Sequence, residues 1–476
     1  MIVSRLYEPA IAQTSYLIGC AAAGEAIVID PNRDVQRYVD EAAREGLRIT
    51  HVTETHIHAD FLSGARELVA RTGATLHLSD EGDQDWKYGF ASEGRLLRDG
   101  DRIDVGRVAV DVVATPGHTP EHITFLITDR AAADQPIAAA TGDFIFVGDV
   151  GRPDLLERAA NIKGTMEQGA RTLWKSLQAF NQRPDWLQIW PGHGAGSACG
   201  KGISAVPYST LGYERRFNWA FKLTSEAAFV ASVLEGQPEP PKYFAMMKRL
   251  NKLGPRVLAG FTSPRKLEDH RLSELLAEQA VVVDTRPADE YAAAHLPGTL
   301  NIPLAQSFVT WAGWLLPYDT DLYFIVDDQA ESHVAELVRQ LALIGLDQVA
   351  GVFAPEAVRR AASIGAAIAG VPQMSAWELA SHRQANDVAV LDVRSASEWQ
   401  EGHITGALHI PLGYLTDRLD EIPRDRAVVV HCQAGTRSAI AASVLERAGR
   451  GGVANLVGGF EAWTAAGLPV LTPVAS

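Results

Sequence analysis

Along the first 190 residues the apolar positions come in short runs broken by Gly, Pro and Asp. Runs at 15–19, 26–30, 48–55, 75–78, 108–115, 123–128 and 187–190 have the length and β-branched content of strands. Segments 34–45, 63–71 and 165–180 instead carry apolar residues at helical spacing. Strands interleaved with helices predict a layered α/β domain whose functional loops sit at strand ends. The polar, Pro-rich stretch 235–241 reads as a surface connection, and 242–253 as a basic amphipathic helix that closes this domain. A boundary is expected between 255 and 264.

The second half repeats itself. Residues 280–286, AVVVDTR, match 388–394, VAVLDVR; 294–303, AHLPGTLNIP, match 402–411, GHITGALHIP; and 349–353, VAGVF, resemble 456–460, LVGGF. The equivalent Asp284 and Asp392 are 108 residues apart, far more than the roughly 20–50 residues of a solenoid repeat. This is a duplicated domain, and each copy is expected to build a small parallel sheet covered on both faces. The chain therefore parses into domains at 1–255, 264–369 and 372–476.

Composition narrows the function. With 476 residues, 47% hydrophobic and 21% charged, the chain can bury several cores and is ordered over most of its length. Its 43 Lys plus Arg against 58 Asp plus Glu leave a net charge of −15 with no basic cluster, which argues against nucleic acid as a partner. The longest weakly polar run, 361–372, is too short for a bilayer, and the amino-terminal stretch holds Arg5 and Glu8 rather than an apolar signal core. A cytoplasmic protein without a membrane partner is the expectation. Three widely spaced cysteines, Cys20, Cys199 and Cys432, do not suggest a disulfide framework, so each is weighed as a thiol.

The chemistry-bearing residues of the first domain lie just past strand ends. His56, His58 and Asp60 form T-H-I-H-A-D, His118 lies in T-P-G-H-T, Asp143 in T-G-D-F and His193 in W-P-G-H-G. Imidazoles and carboxylates at the ends of neighbouring strands can converge on one point above a sheet, as a metal site requires.

The order of these segments resembles the metallo-β-lactamase superfold, an αββα sandwich, over roughly residues 1–253. Within it, T-H-I-H-A-D-F-L-S-G, G-H-T-P-E-H-I-T-F and T-G-D-F-I-F-V-G-D-V-G-R-P-D look like the persulfide dioxygenase branch, relatives of the glyoxalase II thioesterases. A glyoxalase II holds two metals with an H-x-H-x-D-H segment, whereas here Phe61 follows Asp60. One ligand of a second metal is missing, although Asp60 and His193 remain. The resemblance implies a mononuclear Fe(II) centre, one per chain, held by His56, His118 and Asp143 with three positions open to substrate and dioxygen. It implies that His58, Asp60 and His193 orient ligands or take protons, with a purely structural role for each as the other reading. Arg152, in G-R-P-D, either holds an anion near the metal or pairs with Asp149 or Asp154. Cys199, in S-A-C-G-K six residues after His193, looks either like a persulfide relay lining the same cavity or like a buried thiol. Cys20 ends an apolar strand and reads as core.

Cys432 opens C-Q-A-G-T-R between the apolar strand 427–430 and the helical stretch 438–448. Such a loop, through Gln433, Ala434, Gly435 and Thr436, aims backbone N–H groups inward at a helix N-terminus, where an anion is stabilised. Gly435 permits the tight turn and Arg437 adds fixed positive charge, so the loop suits a thiolate or its persulfide. With L-D-V-R, G-H-I-T-G-A-L-H-I-P and L-V-G-G-F-E-A-W around it, the segment resembles a rhodanese domain with Cys432 and Arg437 as its catalytic residues. Dual-specificity phosphatases of the rhodanese-like fold use a longer loop than the six residues from Cys432 to Arg437. In the preceding copy Asp328 falls opposite Cys432, Glu331 opposite Gly435 and His333 opposite Arg437. That copy has no nucleophile and reads as a degenerate rhodanese-like domain for packing, assembly or docking.

The whole arrangement resembles bacterial persulfide dioxygenase and sulfurtransferase fusions. The resemblance implies oxidation of a low-molecular-weight thiol persulfide with O2 to sulfite and thiol, and a Cys432 persulfide that links sulfite and thiosulfate in either direction. The degenerate domain and the 242–253 segment suggest a homo-oligomer. Two other readings stay open at this point: a zinc-dependent thioester hydrolase with an appended sulfurtransferase, and a non-catalytic sulfane-sulfur binding or sensing protein.

Overall fold

The structure, a computed structural model, describes all residues except 156, 158–163, 328–330, 386 and 473–476. It divides into two units, Met1–Phe261 with Arg339–Gly345, and Thr262–Val338 with Leu346–Ser476.

The first unit is built on two six-stranded sheets. One runs Ile2–Glu8, Gln13–Cys20, Glu25–Ile29, Arg48–Thr53, Thr75–Ser79 and Arg95–Leu97 in chain order. The other runs Ser209–Thr210, Gln188–Pro191, Ala138–Gly142, Ile123–Asp129, Val108–Ala114 and Arg102–Val105.

Strand alternation explains the layers. Tyr16, Ile18, Ile27 and Ile29 of the first sheet share one buried cluster with Val108, Val110, Phe125 and Ile127 of the second. The intervening Leu17, Ala26 and Val28 belong to a different cluster, with Tyr38 and Ala42 of helix Gln36–Arg44 and with Ala65 and Leu68 of helix Ala65–Thr72. In the second sheet, Leu126, Ala139 and Ile189 cluster with Leu173, Leu177 and Phe180 of helix Met166–Phe180 and with Phe229 of helix Glu226–Leu234. Both faces of both sheets are therefore apolar, which is why several runs read as continuous rather than alternating. Each large side chain so buried contributes about 1.5–3 kcal/mol. The product is an αββα sandwich of the metallo-β-lactamase fold.

Two departures from the sequence reading have clear causes. The run expected to extend to residue 55 leaves its ladder at Thr53, because the Asp30 carboxylate accepts the Thr55 backbone N–H at 2.6 Å and its hydroxyl at 2.9 Å. Strand Ala138–Gly142 has the sequence AAATG, with little β-branched content; it is a strand because it lies between Ile123–Asp129 and Gln188–Pro191, fully buried.

The second unit holds two parallel sheets of like order. One runs Leu300–Asn301, Val281–Asp284, Leu322–Ile325, Val349–Phe353. The other runs Leu408–His409, Val388–Asp392, Ala427–His431, Val453–Leu456, Gln373–Met374. The repeated D-x-R motif has the same role in each. Arg286 Nη2 donates to Asp284 Oδ2 at 2.6 Å, and Arg394 Nη2 donates to Asp392 Oδ2 at 2.7 Å, at the ends of equivalent strands. Among the described residues no helix is long and apolar enough to cross a membrane.

Candidate metal centre and sulfur site

The ends of four strands of the first unit carry the donors foreseen from sequence. His56 follows Arg48–Thr53, His118 follows Val108–Ala114, Asp143 follows Ala138–Gly142 and His193 follows Gln188–Pro191. All four are at most 2% exposed. Gly142 sits at φ +48°, and a Cβ there would collide with Thr55 Oγ1, so this turn into Asp143 requires glycine.

His56, His118 and Asp143 each offer a ligand atom within 4.8 Å of the others. His118 Nδ1 donates to the Arg152 carbonyl at 2.9 Å, which turns its Nε2 to within 3.5 Å of Asp143 Oδ2. His56 Nδ1 pairs with the Thr55 hydroxyl at 3.0 Å, leaving its Nε2 4.0 Å from the same oxygen. His56 Nε2 and both Asp143 oxygens have no hydrogen-bond partner. Buried polar atoms left open in this way fit a cation. Burial, followed by the nearby His58, holds the His56 pKa well below the imidazole range, so its ring is a neutral donor.

His58 does not join this set. Its Nε2 bonds Asp30 Oδ1 at 3.1 Å, and the carboxylates of Asp30 and Glu54 overcome burial to push its pKa up to about 9. Phe61, fully buried, packs its ring 4.3 Å from that of His58 and offers no donor. Asp60, His193 and Cys199 form a separate buried group. Burial opposes charge on His193, yet the carboxylates of Asp143 and Asp60 hold its pKa well above the usual value. Burial pushes the Cys199 thiol up to about 12. Arg152, also fully buried, donates through Nε and Nη2 to Asp154 at 2.8 Å each and through Nη1 to the carbonyls of Ala198 and Pro238.

In the second unit Cys432 lies between strand Ala427–His431 and helix Thr436–Arg447. Its Sγ accepts the Gly435 N–H at 3.1 Å and faces the Ser438 hydroxyl at 3.6 Å. Gly435 has φ +110°, a conformation that closes the loop onto the sulfur. Arg437 is held by Glu398 through two bonds of 2.6 Å. In the preceding copy, Asp328 and the Glu331 side chain lie outside the described residues, while His333 Nδ1 sits 3.7 Å from Asp327 Oδ2.

Residues 9–193 match the metallo-β-lactamase superfamily, and residues 268–352 and 375–466 match the rhodanese-like domain. A solved metallo-β-lactamase of Staphylococcus aureus subsp. aureus COL is 41% identical, with a TM-score of 0.67 over 75% of this chain and 99% of that one. The chain belongs to the metallo-β-lactamase superfamily and carries rhodanese-like domains. Its first domain is 29% identical to the mitochondrial persulfide dioxygenase ETHE1 of Bos taurus, over 48% of this chain and 78% of that protein. A sulfurtransferase of Allochromatium vinosum is 42% identical over 18% of this chain and 81% of its own length. Homologues thus support both enzyme activities in one metallo-β-lactamase–rhodanese fusion.

The metallo-β-lactamase domain also uses residues that sequence reasoning did not assign. The Asp143 N–H donates to His122 Nε2 at 3.2 Å, and His122 Nδ1 pairs with Thr115 Oγ1 at 2.8 Å. Glu121 Oε1 accepts the Ile57 N–H between the two histidines at 2.8 Å. Both lie in G-H-T-P-E-H-I-T-F, where a second histidine so near His118 was the available signal. Asn251, on helix Tyr243–Leu253, had no such signal; it donates to the carbonyls of His58 and Phe61 and accepts the Ser63 N–H.

Proposed function

We propose that the first domain is a non-haem Fe(II) persulfide dioxygenase, oxidising a low-molecular-weight thiol persulfide with O2 and water to thiol and sulfite, and that Cys432 links sulfite and thiosulfate by sulfur transfer. The observation that carries this reading is the buried set His56, His118 and Asp143, two imidazoles and one carboxylate with unpartnered donor atoms, beside a Phe61 that supplies no ligand. The persulfide dioxygenase and sulfurtransferase homologues support it.

Iron bound by this set would let a sulfur anion and dioxygen bind side by side. The chain's own residues supply the rest. The Arg152 carbonyl fixes the tautomer of His118, and His122 fixes the backbone that presents Asp143. The His58–Asp30 pair keeps a proton on Nε2, placing positive charge 4.2 Å ring to ring from His56, where a persulfide anion benefits from it. Burial of the donors excludes bulk water. In the last domain a Cys432 thiolate attacks the outer sulfur of thiosulfate, the S–S bond breaks and sulfite leaves; sulfite attacking the resulting persulfide reverses the step. The Gly435 N–H stabilises the sulfur anion in either direction.

The test loads the protein with Fe(II) under anaerobic conditions, adds a small thiol persulfide in aerated buffer, and follows oxygen, sulfite and thiosulfate. Oxygen uptake should vanish in His118→Ala and persist in Cys432→Ser, with thiosulfate formation lost in the latter. Retained zinc with thioester cleavage and no oxygen uptake would replace this reading with a hydrolase.

A further inference from the structure

Oxidation of a thiol persulfide by O2 and water gives thiol, sulfite and two protons, the outer sulfur losing four electrons to dioxygen. The donors around that reaction, His56, His118 and Asp143, are at most 2% exposed, so the protons need a path to solvent. Glu121, Tyr88 and Lys248 are titratable groups beside this set that the chemistry above does not use.

Glu121 is fully buried, three residues after His118. Its Oε1 accepts the Ile57 N–H at 2.8 Å, and its Oε2 makes no hydrogen bond among the described residues. Lys248, on helix Tyr243–Leu253, is only partly buried and holds its Nζ 3.6 Å from the centre of the Trp86 ring. Gly82, at φ +76°, lets the Trp86 segment close on Glu121, since a Cβ there would stand 2.9 Å from Trp86 Cβ and 3.3 Å from Glu121 Cβ. The cluster thus runs from an interior carboxyl beside the His56 loop to an amine at the surface. The Tyr88 hydroxyl, on a residue 3% exposed, is also without a hydrogen bond among the described residues.

The electrostatics match the two groups to each other. Burial raises the Glu121 carboxyl and lowers the Lys248 ammonium, each to about 7. The Ile57 N–H and Lys248 oppose the rise of Glu121; Glu121 opposes the fall of Lys248, to which Lys252 of the same helix adds. Burial, then the charges of Glu54 and Glu121, hold the Tyr88 phenol protonated. Burial lowers the His118 pKa and the Lys248 charge lowers it further, so the amine is within electrostatic reach of the candidate metal centre. An acid and a base so matched exchange a proton at little cost near neutral pH.

We propose that Glu121 and Lys248 form the outlet that carries protons from the candidate metal centre to solvent, an inference that rests on the dioxygenase reading above. The Glu121 carboxylate takes a proton, forming an O–H bond at Oε2. Transfer to the Lys248 amine breaks that bond and forms an N–H bond at Nζ, and the ammonium then releases the proton to water. No electrons move, and both groups return to their starting state. A lysine that only anchored an anion, or only paired with Glu121, would need its charge alone, and arginine would serve as well.

The experiment uses the full-length, Fe(II)-loaded protein and follows oxygen uptake with a small thiol persulfide from pH 6 to pH 8.5. In Lys248→Arg, which keeps a positive charge that does not titrate, and in Glu121→Gln, which keeps an acceptor for the Ile57 N–H, kcat should fall at least about tenfold. Its rise through neutral pH should disappear, with KM and bound iron unchanged. Morpholine, a small amine buffer, should restore kcat in Lys248→Ala and leave the wild type as it is. Independently of activity, protein labelled with 13C at lysine Cε should show one lysine titrating near pH 7, absent from Lys248→Arg. Full activity in Lys248→Arg, a loss confined to KM, or the absence of a lysine titrating in that range would each overturn the relay. No oxygen uptake by the wild type would instead remove the dioxygenase reading, and the outlet with it.

Discussion

Arg437 and Glu398 are joined by two hydrogen bonds of 2.6 Å, Nη1 to Oε2 and Nη2 to Oε1. Glu398 is itself fixed, because its Oε2 accepts the Ser395 N–H and hydroxyl in a capping box at the start of helix Ala396–Glu401. The guanidinium beside the Cys432 loop is therefore held in place rather than free to swing. Burial opposes ionisation of Glu398, yet the Arg437 bonds win and lower its pKa to about 2.

Removing Arg437 should slow sulfur transfer from thiosulfate. Loss of a charged hydrogen-bonding group beside an anionic sulfur is worth about 1.5–3 kcal/mol, or roughly 10- to 150-fold. Thiocyanate formation from thiosulfate and cyanide measures it in Arg437→Ala, with oxygen uptake by the first domain unchanged. The pH dependence follows from the sign of the Glu398 shift. A folded-state pKa below the unfolded value contributes stability above the ordinary carboxylate range and loses it as pH falls towards 2. The urea midpoint gap between wild type and Glu398→Gln should therefore shrink between pH 7 and pH 3.

Arg152 and Asp154 are both fully buried and share two bonds of 2.8 Å. Breaking such a pair from one side costs about 3–5 kcal/mol, because it strips a buried charge of its partner. Arg152→Ala should lower the unfolding free energy of the first domain, read from urea denaturation, by that amount, and Arg152→Met combined with Asp154→Leu by clearly less. If the single and double variants were equally damaged, packing rather than charge would be the cause.

Much of this was legible in the sequence, and the limits have physical causes. Strand-end donors such as His56, His118 and Asp143 are readable because turn residues mark where each strand stops. The D-x-R repeat was visible as a pattern, but its reason, a guanidinium closing back on a strand-end carboxylate, is tertiary. Arg152 left two readings open in the sequence; the fold commits its guanidinium to Asp154 and two carbonyls. Asn251 was illegible, because its three partners lie some 190 residues earlier in the chain. No local pattern encodes such contacts.

Within the second unit the two rhodanese-like sheets meet along helix Thr436–Arg447, which starts at the Cys432 loop. The Asn301 N–H donates to Ser443 Oγ at 3.0 Å, and Arg447 donates to the carbonyls of Gly298 and Ala280. The first rhodanese-like domain thereby holds the far end of the helix that follows the Cys432 loop. Arg447→Ala leaves two carbonyls without this donor, at a cost of about 1–3 kcal/mol. Amide hydrogen exchange along 436–447 should quicken in that variant, while the first domain's exchange stays as in the wild type.

Asn251 makes the strongest case for a remote residue acting on the candidate metal centre. Its Nδ2 donates to the carbonyls of His58 and Phe61 at 2.8 Å each, and its Oδ1 accepts the Ser63 N–H at 2.9 Å. One buried amide thus pins both ends of the loop that follows His56. Asn251→Leu keeps the volume and leaves all three backbone groups without this partner, whereas Asn251→Asp keeps the acceptor for Ser63 and loses both donors. Outer groups that orient ligands are worth about 10- to 100-fold in metal affinity. Chelator competition should rank affinity as wild type, then Asn251→Asp, then Asn251→Leu, the last down by about that factor. Equal affinity in all three, with only the denaturation midpoint falling, would show that the loop carrying the ligands keeps its shape without the clamp.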